Sequence, residues 1–282
     1  MGNRMRAGVV AAALAAAIVV AGAPSGHATT WAPAATAAIH PGVQTDSPSG
    51  QCTANFIFQN GTHVYIGQAA HCTSTGGSTD TDGCSTGSLP LGTPVTVGGA
   101  SSPGVLAYNS WLSMQGYHDA DADTCAYNDL ALVELAPGDI AKVNPSIPVW
   151  GGPTGINTTG APQLTNVFSY GNSSLRQGIT LLSPKTGTSL GDASPWEHEV
   201  TTITPGIPGD SGSAFLDASG RALGVLSTLQ VGLPFGVTNG VGDVGRELAY
   251  AQTHGMGNIQ LVLGTEPFSS STLPLDLNRP LG

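Results

Sequence analysis

Charge is scarce in this chain, and positive charge most of all. Charged residues are 9% of the 282, and Lys and Arg together number eight. A surface so poor in cations cannot displace the counterions of a polyanion, which excludes nucleic acid and anionic membrane surfaces as partners. Long apolar runs are missing beyond residue 28, so a soluble protein is expected once that first segment is set aside. No C-x-x-C pair occurs among the four cysteines, and His71 beside Cys72 suits tetrahedral zinc badly, so no metal site is expected there. Asp119, Asp121 and Asp123 alternate like metal ligands, but no calcium loop with its glycine and closing glutamate follows, and a solvated loop is expected. No internal repeat is visible. Disorder is excluded by a hydrophobic content of 40%.

What is present begins with a targeting segment. Arg4 and Arg6 precede a run, 7–23, made of Ala, Val, Ile, Leu and Gly, and Gly26-His27-Ala28 supplies small residues for cleavage after Ala28. Residues 1–28 are therefore expected to be a signal peptide and the mature protein to be exported. The remainder carries six Lys and Arg against eighteen acidic residues, a net charge of −12 with His neutral. Cys52, Cys72, Cys84 and Cys125 are an even number in an exported chain, which reads as two disulfides with three possible connectivities.

Gly and Pro number 40 and 20, which suits short strands joined by many turns. Residues 29–50 read as an N-terminal arm or short pro-segment. Strands are expected at 52–58, 62–69, 94–97, 104–112 and 129–135, with Phe56 and Phe58 on one face of the first and Ile57 on the other. A Gly- and Pro-rich break at 151–162 separates a second set at 164–170, 178–183, 198–204, 212–217, 221–228 and 235–241. Asp243 can cap one late helix that aligns Val244, Leu248 and Ala251 and ends near Gly255. The organisation is thus all-β: one module over 51–150, a second over 151–265 with the helix, and an extended tail over 266–282.

The chemistry concentrates in three motifs. Gly-Asp-Ser-Gly-Ser-Ala at 209–214 sets Ser211 between glycines, Ala-Ala-His-Cys at 69–72 supplies His71, and Asp129 opens the run Asp-Leu-Ala-Leu-Val-Glu-Leu at 129–135. A serine hydroxyl needs a base to take its proton as it attacks. A neutral imidazole suits that task, and a carboxylate fixes the imidazole tautomer. Histidine and aspartate in the first half, with serine in the second, is the distribution that catalysis between two β modules requires. His27, His40, His63, His118, His198 and His254 have no such setting.

These motifs resemble the chymotrypsin-like serine peptidases, and among them the exported bacterial members. The resemblance rests on Ala-Ala-His-Cys at 69–72, Asn-Asp-Leu-Ala-Leu-Val at 128–133 and Gly-Asp-Ser-Gly-Ser at 209–213, with Gly-Val-Leu-Ser at 224–227 as the cleft-lining strand. It implies two six-stranded antiparallel β-barrels with the site between them. It implies His71 as general base, Asp129 as its orienter, Ser211 as nucleophile, and the N–H groups of Gly209 and Ser211 as the oxyanion hole. Ser227 would support Asp129 and pair with substrate backbone, and the disulfides would be Cys52–Cys72 and Cys84–Cys125. The chain departs from the family pattern in having Ser213 where Gly is usual. It also lacks an Ile-Val-Gly-Gly-like start whose amine could pair with Asp210, so an arginine is expected there, with Arg176, Arg221 and Arg246 as candidates. The pocket base falls at Pro205, and Leu229 narrows the mouth. With no acid at 205 and Leu226 before Ser227, cleavage after small or hydrophobic residues is expected. The expectation is a secreted, monomeric serine endopeptidase acting on proteins or peptides without a cofactor. The alternative is an inactive homologue that binds through the cleft, its pocket closed by the proline-flanked loop 205–208.

Overall fold

The computed structural model describes residue 2 and residues 29–232 and 236–270. The expected signal peptide, apart from Gly2, and the end of the 266–282 tail lie outside the described residues. The strands in chain order are β1 (Gln44–Ser47), β2 (Gly50–Thr53), β3 (Ile57–Asn60), β4 (His63–Ala69), β5 (Pro94–Val97), β6 (Gly104–Asn109) and β7 (Leu130–Glu134). Helices α1 (Ser110–Tyr117) and α2 (Ala122–Tyr127) lie between β6 and β7. The second half holds β8 (Asn166–Tyr170), β9 (Pro184–Ser194), β10 (Glu197–Thr202), β11 (Ala214–Leu216), β12 (Ala222–Gly232), β13 (Gly236–Asp243), α3 (Val244–Ala251) and β14 (Gln260–Leu261). The strands pair antiparallel into two bodies. The second half closes as a six-stranded barrel in the order β10-β13-β12-β11-β8-β9, and the first half, joined by β14 from the chain's end, is an eight-stranded sheet in the order β14-β3-β4-β7-β6-β5-β1-β2.

Alternation explains how the bodies join. Successive strand residues point to opposite faces. Phe58, Tyr65, Leu130 and Leu132 belong to one apolar cluster, together with Phe56 and with Phe168, Leu216, Val225 and Leu248 of the second half. Ile57, Val64, Ile66, Ala131 and Val133 fill a separate cluster inside the first module. The β3-β4-β7 region is therefore buried on both faces, which is why 130–133 reads as an unbroken apolar run. Phe56 and Ile57 fall on opposite faces, as the sequence implies. Residues 29–50 carry β1 and bury Ile39 and Val43.

Two elements correct the expectation of a single helix. The strand expected at 104–112 stops at Asn109, whose side chain accepts the N–H groups of Trp111 and Leu112 and so caps α1. Asp121 caps α2 through Thr124. The expected strand at 178–183 is also corrected: residues 180–182 form a 3₁₀ turn, and pairing begins at Pro184. β9 gives no strand signal in the sequence because its Gly-, Ser- and Thr-rich stretch lacks apolar alternation. The late helix is as expected, with Asp243 accepting the N–H of Arg246 and with Val244, Leu248 and Ala251 buried. Asp119 accepts the Tyr250 hydroxyl, so it and Asp121 both have local structural partners.

Candidate active site

Strand register brings His71 and Asp129 together. β4 and β7 pair through Ala69 and Leu130, and the Ala70 N–H donates to the Asp129 carbonyl at 2.8 Å. His71 follows in a 3₁₀ turn, Ala70–Thr73, held by the Cys52–Cys72 disulfide. Its Nδ1 lies 2.7 Å from Asp129 Oδ2, and its main-chain N–H donates to Asp129 Oδ1 at 2.8 Å. The Ser227 hydroxyl donates to Asp129 Oδ2 at 2.6 Å. Asp129 is 3% exposed, so its charge acts with little screening. Burial alone would depress the His71 imidazolium, but the charge and hydrogen bond of Asp129 outweigh it and the net displacement is upward. An Nδ1–H directed at Asp129 leaves Nε2 as the basic nitrogen.

The Ser211 turn is pressed onto the same corner from the closed barrel. Thr53 N–H donates to the Ser211 carbonyl at 2.8 Å, and Gly212 N–H donates to the Leu226 carbonyl at 2.7 Å. Gly212 has φ +88°, and a Cβ there would lie 2.5 Å from the Thr53 carbonyl oxygen and 2.9 Å from the Ala69 nitrogen. Only glycine lets the turn approach β4 this closely. No hydrogen bond joins the Ser211 hydroxyl to the His71 ring among the described residues. Such contacts are often loose before substrate binds.

The two expected oxyanion donors are oriented through their peptide carbonyls. In a trans peptide the C=O and N–H point in opposite directions. The Pro208 carbonyl accepts the Ser173 hydroxyl at 2.6 Å, which turns the Gly209 N–H the other way. The Asp210 carbonyl accepts the Ser213 N–H at 3.0 Å and the Ser213 hydroxyl at 2.5 Å, which fixes the Ser211 N–H. Neither the Gly209 nor the Ser211 N–H donates to a protein acceptor among the described residues, so both are free for a ligand oxygen. Ser213, the departure from the family's usual glycine, is fully buried and supplies one of these pins.

Asp210 has the expected arginine and a cation that was not foreseen. Arg176 Nη2 is 2.5 Å from Asp210 Oδ2, and Lys185 Nζ is 3.1 Å from the same oxygen. Ser173 and Ile207 N–H groups complete the shell at 3.0 and 3.1 Å. Arg221 pairs instead with Asp217, and Arg246 is exposed. Lys185 is 1% exposed; burial, and then the neighbouring guanidinium, lower its pKa against the pull of Asp210. Its local sequence, Ser-Pro-Lys-Thr-Gly, gives no hint of this role.

Asn239 bridges the 205–208 loop and the strand that carries Ser227, a role its sequence gives no sign of. The Gly206 N–H donates to Asn239 Oδ1 at 2.9 Å, and Asn239 Nδ2 donates to the Thr228 carbonyl at 3.1 Å. Asn239 is 1% exposed. It ties the 205–208 loop to β12 one residue after Ser227. The Pro205 carbonyl accepts from both Lys185 and Arg176 at 3.3 Å and so faces the Asp210 cluster, while Leu229 stands 45% exposed. Beside Thr228, Glu197 is 3% exposed and burial pushes its pKa up to about 7. The disulfides pair as the resemblance implies, Cys52 with Cys72 and Cys84 with Cys125.

No family model and no curated protein matches the chain. Solved structures do. Protease A of Thermobifida fusca superposes with a TM-score of 0.53 at 18% identity, over 81% of this chain and 100% of that one. Cellulomonas bogoriensis chymotrypsin (TM-score 0.49, 18% identity, 80% of this chain, 98% of that one) and Nocardiopsis protease (0.48, 18%, 79% and 98%) are also similar. The eight-stranded sheet, the closed barrel and the late helix together are the chymotrypsin-like fold of bacterial serine proteases.

Proposed function

We propose that the chain is an exported serine endopeptidase that cleaves after small residues. The observation that carries this is the pairing of His71 with a buried Asp129, itself held by Ser227, at the corner where the Ser211 turn docks. In the first step His71 Nε2 takes the Ser211 hydroxyl proton while Oγ bonds to the scissile carbonyl carbon. The Gly209 and Ser211 N–H groups receive the resulting oxyanion. His71 then returns the proton to the leaving amine as the C–N bond breaks, which leaves an acyl-enzyme. Water attacks that ester with His71 again as base, and Ser211 is released.

The choice of small residues follows from Asn239. A side chain entering beside Ser211 meets the Asn239 bridge between Gly206 and Thr228, and displacing it would strand the buried Gly206 N–H and the half-buried Thr228 carbonyl. Two disulfides and the leader-like N-terminus support export, since thiols persist reduced in the cytosol. Fluorophosphonate labelling tests the reading. The wild type should label and Ser211→Ala should not; a folded wild type that stays unlabelled would leave the inactive homologue standing.

A further inference from the structure

The Asp129 main-chain N–H finds its partner far along the chain. Glu247, in the first turn of α3, is 0% exposed, and its Oε1 accepts that N–H at 2.9 Å. The second oxygen, Oε2, is buried and has no hydrogen-bond partner among the described residues. Room for the carboxyl exists because residue 242 is glycine: a Cβ there would sit 2.5 Å from Glu247 Oε1. Among the described residues, the ionisable groups that act on it are Asp129 at the head of β7, Asp243 capping α3 and Tyr108 of β6, none of them a cation, with His71 beyond Asp129. An ionised Glu247 would lack a partner for one oxygen and face two further carboxylates in a dry interior.

We propose that Glu247 is a positioning residue for Asp129, and that it acts as an uncharged acid. Asp129 already commits Oδ1 to the His71 N–H and Oδ2 to the His71 ring and Ser227. Holding its main-chain N–H fixes the direction from which that carboxylate meets the imidazole. A charged acceptor would do this too, but a second negative charge behind Asp129 would hold His71 protonated and weaken it as a base near neutral pH. A neutral acceptor supplies the geometry without the charge. Burial, and then the charges of Asp129 and Asp243, drive the Glu247 pKa well above the carboxylate range, against the Asp129 hydrogen bond.

The inference rests on the peptidase reading, and two readouts separate them. Glu247→Ala removes the acceptor, and Glu247→Gln restores a neutral one of the same shape. Glu247→Ala should lower kcat about tenfold or more with KM little changed, and Glu247→Gln should rescue it to within about threefold of wild type. The His71 pKa, followed by proton NMR of the Nδ1–H, should be the same in wild type and Glu247→Gln. A fall of about one pH unit or more in Glu247→Gln would mean that a charge had been removed, and would overturn the proposal. So would unchanged kcat in Glu247→Ala, or a Glu247→Gln variant as impaired as Glu247→Ala or unable to fold. If Glu247→Ala does not fold, the Glu247→Gln titration still decides. That titration needs no turnover, whereas failure of Ser211-dependent labelling in the wild type overturns the peptidase reading alone.

Discussion

Removing Arg176 and Lys185, singly and together, should show strong non-additivity. Asp210 is fully buried, with Arg176 at 2.5 Å and Lys185 at 3.1 Å. At an effective dielectric constant of about 20, either attraction is worth roughly 5–7 kcal/mol before desolvation is counted. Two cations on one carboxylate also repel each other, so the second adds far less than the first. The Lys185 pKa is displaced downward by burial first and by the Arg176 guanidinium second. Each single replacement by Met therefore leaves a neutral buried pair, and should cost about 1–2 kcal/mol. The double replacement leaves Asp210 with only the N–H groups of Ser173 and Ile207, and a stranded buried charge costs about 3–5 kcal/mol beyond lost packing. Urea unfolding of the four proteins gives the coupling energy, expected at about 1 kcal/mol or more. Catalysis should follow, because the Asp210 carbonyl orients the Ser211 N–H. Single-variant losses that sum to the double-variant loss would refute the shared-carboxylate account, as would full activity in the double variant.

Two other outcomes follow from buried polar groups. Glu197 is displaced from 4.5 to about 7, so the folded state favours its protonated form, and its cost to stability grows as pH rises from about 4.5 to 7. Glu197→Gln should raise unfolding free energy by about 3 kcal/mol at pH 8 and leave it nearly unchanged at pH 4. Equal effects at the two values, measured by thermal melts, would refute the assignment. Asn239→Ala should remove the bridge between Gly206 and Thr228 and raise kcat/KM for Leu or Phe ahead of the scissile bond by about tenfold or more relative to Ala. An unchanged peptide-library profile would remove Asn239 from the specificity account.

Much of the site was legible because local rules specify it. Gly209 and Gly212 mark a turn that only glycine allows, and a small Cys-flanked turn at the end of an apolar strand announces His71. Asp129 heads a run whose unbroken apolarity follows from burial on two faces. The late helix was visible through its Asp243 cap and the spacing of Val244, Leu248 and Ala251. β9, α1 and α2 were not, because Gly and Thr repeats hide a strand and short capped helices give too few turns for a period to show.

The sequence by itself therefore determined the reactive residue types, their order, and the two-module all-β organisation, since these follow from alternation, turn chemistry and motif spacing. Tertiary structure alone decided which buried groups answer one another. Lys185 meets Asp210 across 25 residues, Asn239 meets Gly206 across 33, and Glu247 meets Asp129 across 118. None of these partners has a local signature, because a buried hydrogen bond depends on where the folded chain brings its groups and not on the residues beside them.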